Sequence, residues 1–260
     1  MSMKQKVSPH LPPHSSSYQL PRQLPMALPG LTVVIINTHQ VATLPRAIRS
    51  ALTVIKALRP QNIPADILVI DNGSRDGSVT LLRQLEAVYF EAGLRVFALP
   101  QPISLVAMHN LALVQARYRT MLLGDVDVEF GAENIMAFYE AMQETEAAVI
   151  YGHFTDPKET PTNILVNEAY DPSPWLQPSP VDSFALYDRH QIFDVGGFGE
   201  NQPDEVQGAK AFWSYLSACG RKQLFIPLLL GIYHKPSNAP SQRQLPSHPP
   251  MPYHPDKNVL

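Results

Sequence analysis

Asp66–Ser78 reads DILVIDNGSRDGS. The run Asp66–Ile70 is short, apolar and rich in branched side chains, which is the pattern of a buried strand. Asp71-Asn72-Gly73-Ser74 is a turn sequence, and Ser78–Phe90 returns to helical spacing. The same order stands upstream. Leu31–Ile36 (LTVVII) reads as a buried strand, Asn37-Thr38-His39-Gln40 as a polar turn, and Leu44–Leu58 as a helix with Leu44, Ala47, Ile48, Ala51, Leu52, Ile55 and Leu58 on one face. Downstream come a strand at Leu94–Leu99, a helix at Ser104–Ala116 and a fourth strand at Thr120–Leu123. Strands alternating with helices predict an α/β fold with a mostly parallel central sheet and helices on both faces. Ligands of such sheets lie beyond the carboxyl ends of the strands. That rule directs attention to Asn37–Gln40, Asp71–Ser74 and Gly124–Phe130.

Two of these strand ends carry carboxylates. Asp125 and Asp127 follow the fourth strand as Gly124-Asp125-Val126-Asp127, and alternation in an extended segment puts both on one side. Paired carboxylates repel unless a cation lies between them, and Mg²⁺ or Mn²⁺ would retain positions for water or substrate phosphate there. A solvated acidic turn is the other reading. Asp71 ends the second strand; it either accepts hydrogen bonds from a ribose or base edge, or caps the turn.

The chain has 260 residues with a formal net charge of -3, 45% hydrophobic and 17% charged. That length allows one full-sized domain or two small ones. The absence of a basic excess argues against a nucleic-acid binder. A single cysteine, Cys219, excludes an internal disulfide framework and a cysteine-based zinc site, and reads as a small core residue. No apolar run approaches the roughly 18 residues of a membrane span, and Met1–Gly30 lacks a signal-peptide pattern. The expectation is a cytoplasmic setting without a transmembrane segment, with peripheral membrane contact left open.

Proline divides the chain. Of 26 prolines, six lie in 1–30, six in 155–182 and seven in 236–260. Proline lacks the backbone donor and fixes φ, so 1–30 and 236–260 read as tails and 155–182 as an irregular internal loop. One folded unit is expected over 31–235, with a nucleotide-binding half at 31–130 and an acceptor half at 131–235.

The order of these segments resembles the family 2 glycosyltransferases of the GT-A (nucleotide-diphospho-sugar transferase) fold. The family's second strand ends in Asp-Asp/Asn-Gly/Ala-Ser-x-Asp-Gly, matched here by Asp71-Asn72-Gly73-Ser74-Arg75-Asp76-Gly77. Asn110 and Asp125-Val126-Asp127 match a helix asparagine and an Asp-x-Asp motif. Val195-Gly196-Gly197-Phe198-Gly199-Glu200 matches a Gly-Gly-Phe segment that leads to an acidic pair, here Asp204-Glu205, and a helix, here Val206–Cys219. The first turn, usually Pro-Thr-Tyr-Asn, is Asn37-Thr38-His39-Gln40. The acidic pair, usually Glu-Asp, is reversed, with Lys210 in place of the helix arginine.

The resemblance implies a nucleotide pocket of Asn37, Thr38, His39, Asp71, Asn110 and Asp125. It implies Mn²⁺ or Mg²⁺ on Asp125, Asp127 and His234, and a general base at Asp204 or Glu205. The implied activity is metal-dependent, inverting transfer from a nucleotide-sugar donor, UDP-sugar favoured, to a glycan or other hydroxyl acceptor. The altered turn and acidic pair keep a second reading open, a non-catalytic module that binds nucleotide or glycan. His234 reads equally as a ligand or a solvated strand-end residue. His153 is either acceptor-side or a strand-end histidine. Trp175 suits an acceptor platform and Trp213 the core, and Asp182 either contacts sugar or caps a turn.

Overall fold

The computed structural model describes residues 20–155, 157, 164–165, 184–199 and 208–234. Asp182, Trp175, Asp204 and Glu205, both terminal stretches through 19 and from 235, and most of the loop 155–182 lie outside the described residues.

The four strands read from sequence form one wholly parallel block. They are β1 (Leu28–Asn37), β2 (Ala65–Asp71), β3 (Leu94–Ala98) and β4 (Tyr118–Asp125), in the order β3-β2-β1-β4. The helices between them are α1 (Leu44–Leu58), α2 (Ser78–Val88) and α3 (Leu105–Gln115). The rest of the fold comprises β5 (Val128–Phe130), α4 (Ile135–Thr145), β6 (Val149–Thr155), β7 (Ile164–Leu165), β8 (Ala185–Asp188), α5 (Arg189–Asp194), α6 (Gly208–Ala218) and β9 (Gln223–Tyr233). The sheet continues from β4 through β8, β6 and β9 to β5, with β7 on β6. Strand β8 is antiparallel to both β4 and β6, while β9 is parallel to β6. Strands β6 and β9 therefore run in the direction of β1–β4, and six strands end along one edge of the sheet.

The uninterrupted apolar runs follow from burial on both faces. Val33, Ile35, Ile67, Val69 and Leu122 pack against α1, α2 and α4. Val34, Ile36, Leu68, Ile70, Met121 and Leu123 pack against α3, α5 and α6. The second layer contains Trp213, edge-on to Tyr151 with ring centroids 4.6 Å apart, so it belongs to the core.

Two details depart from the sequence reading. Strand β1 begins at Leu28, where it pairs with Tyr118, three residues before the apolar run. Cys219 is exposed rather than buried. It sits past the end of α6, where Gly220 at φ +68 turns the chain and no layer covers it.

A buried cation closes α3. Arg189 is fully buried; its guanidinium donates to the carbonyls of Leu113 and Val114 in the last turn of α3. Arg95 donates to Gln115 O at 3.3 Å. Two positive groups thus meet the negative end of the helix dipole. Burial draws the Arg189 guanidinium down to about 10.

Candidate active site

Asn37, Asp71 and Asp125 terminate β1, β2 and β4, and the registers place them together: Asn37 pairs with Asp71, and Ile36 with Asp125. Sheet pairing alone thus gathers the polar residues of three separate loops at one edge.

The first two loops are hydrogen-bonded into a single body. Asn37 Nδ2 donates to Asp71 Oδ2 at 2.7 Å and to Ser74 Oγ at 3.3 Å. Ser74 N donates to Asp71 Oδ1 at 2.9 Å, and His39 N donates to Ser74 Oγ at 2.8 Å. Asp71 is fully buried, and both its oxygens accept from protein donors. Its carboxylate therefore stiffens the turn, leaving lone pairs for any further donor.

Asp76 performs the same service from the helix side. Oδ1 accepts from Ser78 N and Ser78 Oγ at the start of α2, and Oδ2 accepts from Val41 N at 2.9 Å. Slight desolvation would raise the Asp76 carboxyl, but the Ser78 and Val41 hydrogen bonds outweigh it and hold the group below its ordinary value.

His39 is held in a left-handed conformation at φ +54, uncommon for a residue with a Cβ. Its Nδ1 accepts from Arg75 N at 3.1 Å, so a neutral ring carries its proton on Nε2. His39 and Thr38 are both exposed at the loop surface.

The third loop joins through Gln40, whose Nε2 donates to Asp127 Oδ2 at 3.2 Å. Asp127 is buried. Burial, reinforced by the charge of Asp127, pushes the Asp125 carboxyl up to about 6. On the opposite face of the sheet, against Gly124, lies an aromatic contact. Phe130 and Phe184 meet edge-on with centroids 5.7 Å apart. A Cβ on Gly124 would stand 3.0 Å from the Phe130 ring, and one on Gly231 would stand 2.8 Å from Phe184.

His234 follows β9 as the sequence indicated, but its ring has another partner. His234 N donates to Asp127 O at 2.8 Å, whereas Nε2 lies 2.9 Å from Glu129 Oε2. Among the described residues, no group of three or more His, Cys, Asp or Glu is gathered as a metal cage.

Asn110, expected to line the nucleotide pocket, has its amide engaged by the protein itself. It is fully buried; Nδ2 donates to Phe198 O at 2.9 Å and Oδ1 accepts from Phe198 N at 2.8 Å. Its amide is spent on the Gly-Gly-Phe segment, where Gly196 and Gly197 have φ +94 and +80. Their N–H groups donate to Phe193 O and Ile192 O, ending α5. The motif thus has a physical task in this chain: it turns the backbone after α5 and is clamped to α3.

Sequence reasoning assigned no role to Ser74, Asp76, Gln40 or Glu129. Asp76-Gly77-Ser78 carried a legible signal, since an acidic residue just before a helix is a capping pattern. The bonds of Gln40 and Glu129 to residues 87 and 105 positions away had no local signal.

Three strand-end loops converging on one edge of a mostly parallel sheet, with Asp125 ending the fourth strand and Asp127 in the turn after it, fit the GT-A class of nucleotide-sugar transferase folds. The sequence matches the model described as Glycosyl transferase family 2 over residues 32–199, and the chain belongs to that family. A comparison with curated protein sequences found no match. Among solved structures, mannosyltransferase PcManGT from Pyrobaculum calidifontis, in complex with GDP-Man and Mn²⁺, is similar at 13% identity. Its TM-score is 0.58 over 85% of this chain and 60% of that one. S. aureus TarS in complex with UDP-GlcNAc is 14% identical, with TM-score 0.58 over 81% of this chain and 60% of its own. A longer TarS structure gives TM-score 0.59 at 15% identity, over 79% of this chain and 37% of that one. At such identities the likeness shows the fold, and the chain spans 60% or less of these transferases' lengths. Among the described residues, no helix is long and apolar enough to cross a membrane.

Proposed function

We propose that the chain transfers a sugar from a nucleoside-diphosphate donor to an acceptor hydroxyl, with inversion and with help from Mn²⁺ or Mg²⁺. The observation that carries this reading is the joining of all three loops: Asn37 to Asp71 at 2.7 Å and Gln40 to Asp127 at 3.2 Å. That arrangement sets a rigid polar floor for a nucleoside next to a pair of carboxylates. A UDP-sugar is the favoured donor and a glycan the favoured acceptor.

The donor set suits a cation shared with substrate. Burial and the neighbouring charge of Asp127 push the Asp125 carboxyl up to about 6, a repulsion that a cation between the two would relieve. Two carboxylates, completed by phosphate oxygens and water, meet the needs of Mg²⁺ or Mn²⁺ without an all-protein cage. Asp125 and Asp127 would hold it, while the His234 ring stays with Glu129. When bound, such an ion supplies positive charge against the diphosphate.

The chain's own residues account for the rest. His39, Thr38 and the Asp71 turn line the nucleoside side, and Asn110 acts at a distance by fixing the Gly-Gly-Phe segment. Asp204 or Glu205 takes the acceptor's hydroxyl proton as the oxygen bonds to the anomeric carbon. The bond from that carbon to the diphosphate oxygen breaks, and its electron pair departs with the diphosphate. General-base assistance of this kind is worth about 10²–10⁴-fold.

The test is release of nucleoside diphosphate from UDP- and GDP-sugars in Mn²⁺, with wild type and Asp127→Ala. Turnover lost in the variant supports the enzyme. Nucleotide binding by wild type without any turnover would overturn it in favour of a binding module.

A further inference from the structure

His153 lies on β6, the strand two places along the sheet from β4. Leu186 of β8 pairs with Leu122 on one side and Ile150 on the other, so these three form one rung. Asp125 is three residues beyond Leu122, and His153 is three residues beyond Ile150. Both strands run toward the edge that holds Asn37 and Asp71, so Asp125 and His153 end level with each other.

They also share a face. Asp125 alternates with Met121 and Leu123, and His153 with Val149 and Tyr151, all four in the layer packed by α3, α5 and α6. The irregular pairing of β6 with β9 leaves this intact. Gly152 pairs with Ile226, His153 with Leu229 and Phe154 with Gly231, so the additional residues, Pro227, Leu228 and Leu230, are all on β9. Gly152 faces the opposite layer, where an added Cβ would stand 2.5 Å from Phe138. Two strand spacings separate the backbones by about 10 Å.

The two ring nitrogens of His153 have unequal surroundings. Nδ1 is buried and has no hydrogen-bond partner among the described residues, and the ring stands edge-on to Phe225 with centroids 5.0 Å apart. A buried N–H without an acceptor is rarer than a buried lone pair without a donor. The neutral ring therefore keeps its proton on Nε2, on the half-buried side. The apolar contact fixes the ring, and among the described residues no acceptor engages that donor.

We infer that His153 contacts the sugar being transferred and helps determine which sugar is accepted, its Nε2–H donating to a sugar hydroxyl on the face shared with Asp125. This rests on the donor reading given above. The spacing suits it: with the diphosphate held at the paired aspartates, the next group along the shared face is the sugar, about two strand spacings from the His153 backbone.

Calorimetric titration in Mn²⁺ tests this on wild type, His153→Phe and His153→Gln, using UDP against UDP-GlcNAc and GDP against GDP-mannose. For the pair that binds, His153→Phe should weaken the sugar nucleotide about 3- to 10-fold, the worth of one neutral hydrogen bond, and leave the nucleoside diphosphate unchanged. His153→Gln, which keeps a donor near the Nε2 position, should restore most of the loss, with matched thermal unfolding showing that both variants fold. Equal weakening of the two ligands, or no change in either, overturns the His153 assignment and leaves the donor reading standing. Failure of wild type to bind any of the four ligands overturns the donor reading and the His153 assignment with it.

Discussion

Gln40 Nε2 donates to Asp127 Oδ2 across 3.2 Å, tying the turn after the first strand to the acidic triplet after the fourth. The same turn is pinned to the second loop through Asn37 and Val41. An ion at the triplet and a nucleoside over the turn would therefore meet parts of one rigid assembly.

Gln40→Leu removes this tie and frees the Asp127 side chain. Loss of a hydrogen bond to a charged group should weaken Mn²⁺ binding in the presence of UDP or GDP roughly tenfold. The free-ion electron paramagnetic resonance signal measures it. An unchanged Mn²⁺ affinity would show that Asp127 is oriented without Gln40.

The Asn110–Phe198 clamp is a folding device. Asn110→Leu leaves the Phe198 N–H and C=O buried without their partner, at a cost of about 2–5 kcal/mol for two such groups. Gly197→Ala attacks the clamp from the other side, because its Cβ would stand 2.5 Å from Asn110 Oδ1 at a φ of +80. Urea denaturation should show both variants destabilised. A change below about 0.5 kcal/mol in either would place them among ordinary surface substitutions.

These two cases mark what the sequence could reveal. Leu31–Ile36 and Asp66–Ile70 were legible because a strand covered on both faces has no polar alternation to obscure it. The strand-end aspartates were legible because their position follows from those strands. Strand β9 starts at Gln223, and its first half is hard to read from the sequence. Pro227 interrupts its pattern, and the pairing to β6 shifts register there. Three-residue β5 left too short a pattern to read. Asn110 stands out as a motif residue, but its partner Phe198, 88 positions away, leaves no local signal. Side chains that join distant loops declare themselves only when the sheet has brought those loops together.

His109, beside Asn110 on α3, makes stability depend on pH. It is buried against Phe198, with centroids 5.1 Å apart, and its Nε2 has no partner among the described residues. Burial pulls its pKa from 6.5 down to about 4. Between those values the unfolded chain binds a proton that the folded protein refuses, so stability is full above about pH 6.5 and falls as pH drops toward 4. The loss is on the order of 3 kcal/mol at about 1.4 kcal/mol per unit. Urea midpoints at pH 7, 5.5 and 4.5 for wild type and His109→Phe measure it, and the variant's curve should be flatter across that range. Parallel curves would show that other groups cause the acid sensitivity.

The contrast between Asp127 and His234 separates a two-carboxylate ion site from a three-ligand one. The His234 ring is engaged with Glu129 at 2.9 Å, and its link to the triplet is a main-chain bond from His234 N to Asp127 O. Replacing the ring leaves that bond in place. His234→Ala should therefore change Mn²⁺ affinity, measured with UDP or GDP present, by less than about threefold, below the worth of one charged hydrogen bond. Asp127→Ala removes half of the carboxylate pair and should reduce binding below detection. Comparable losses in the two variants would mean that the imidazole leaves Glu129 to join the ion, and that the arrangement seen between Glu129 and His234 belongs to the ion-free protein alone.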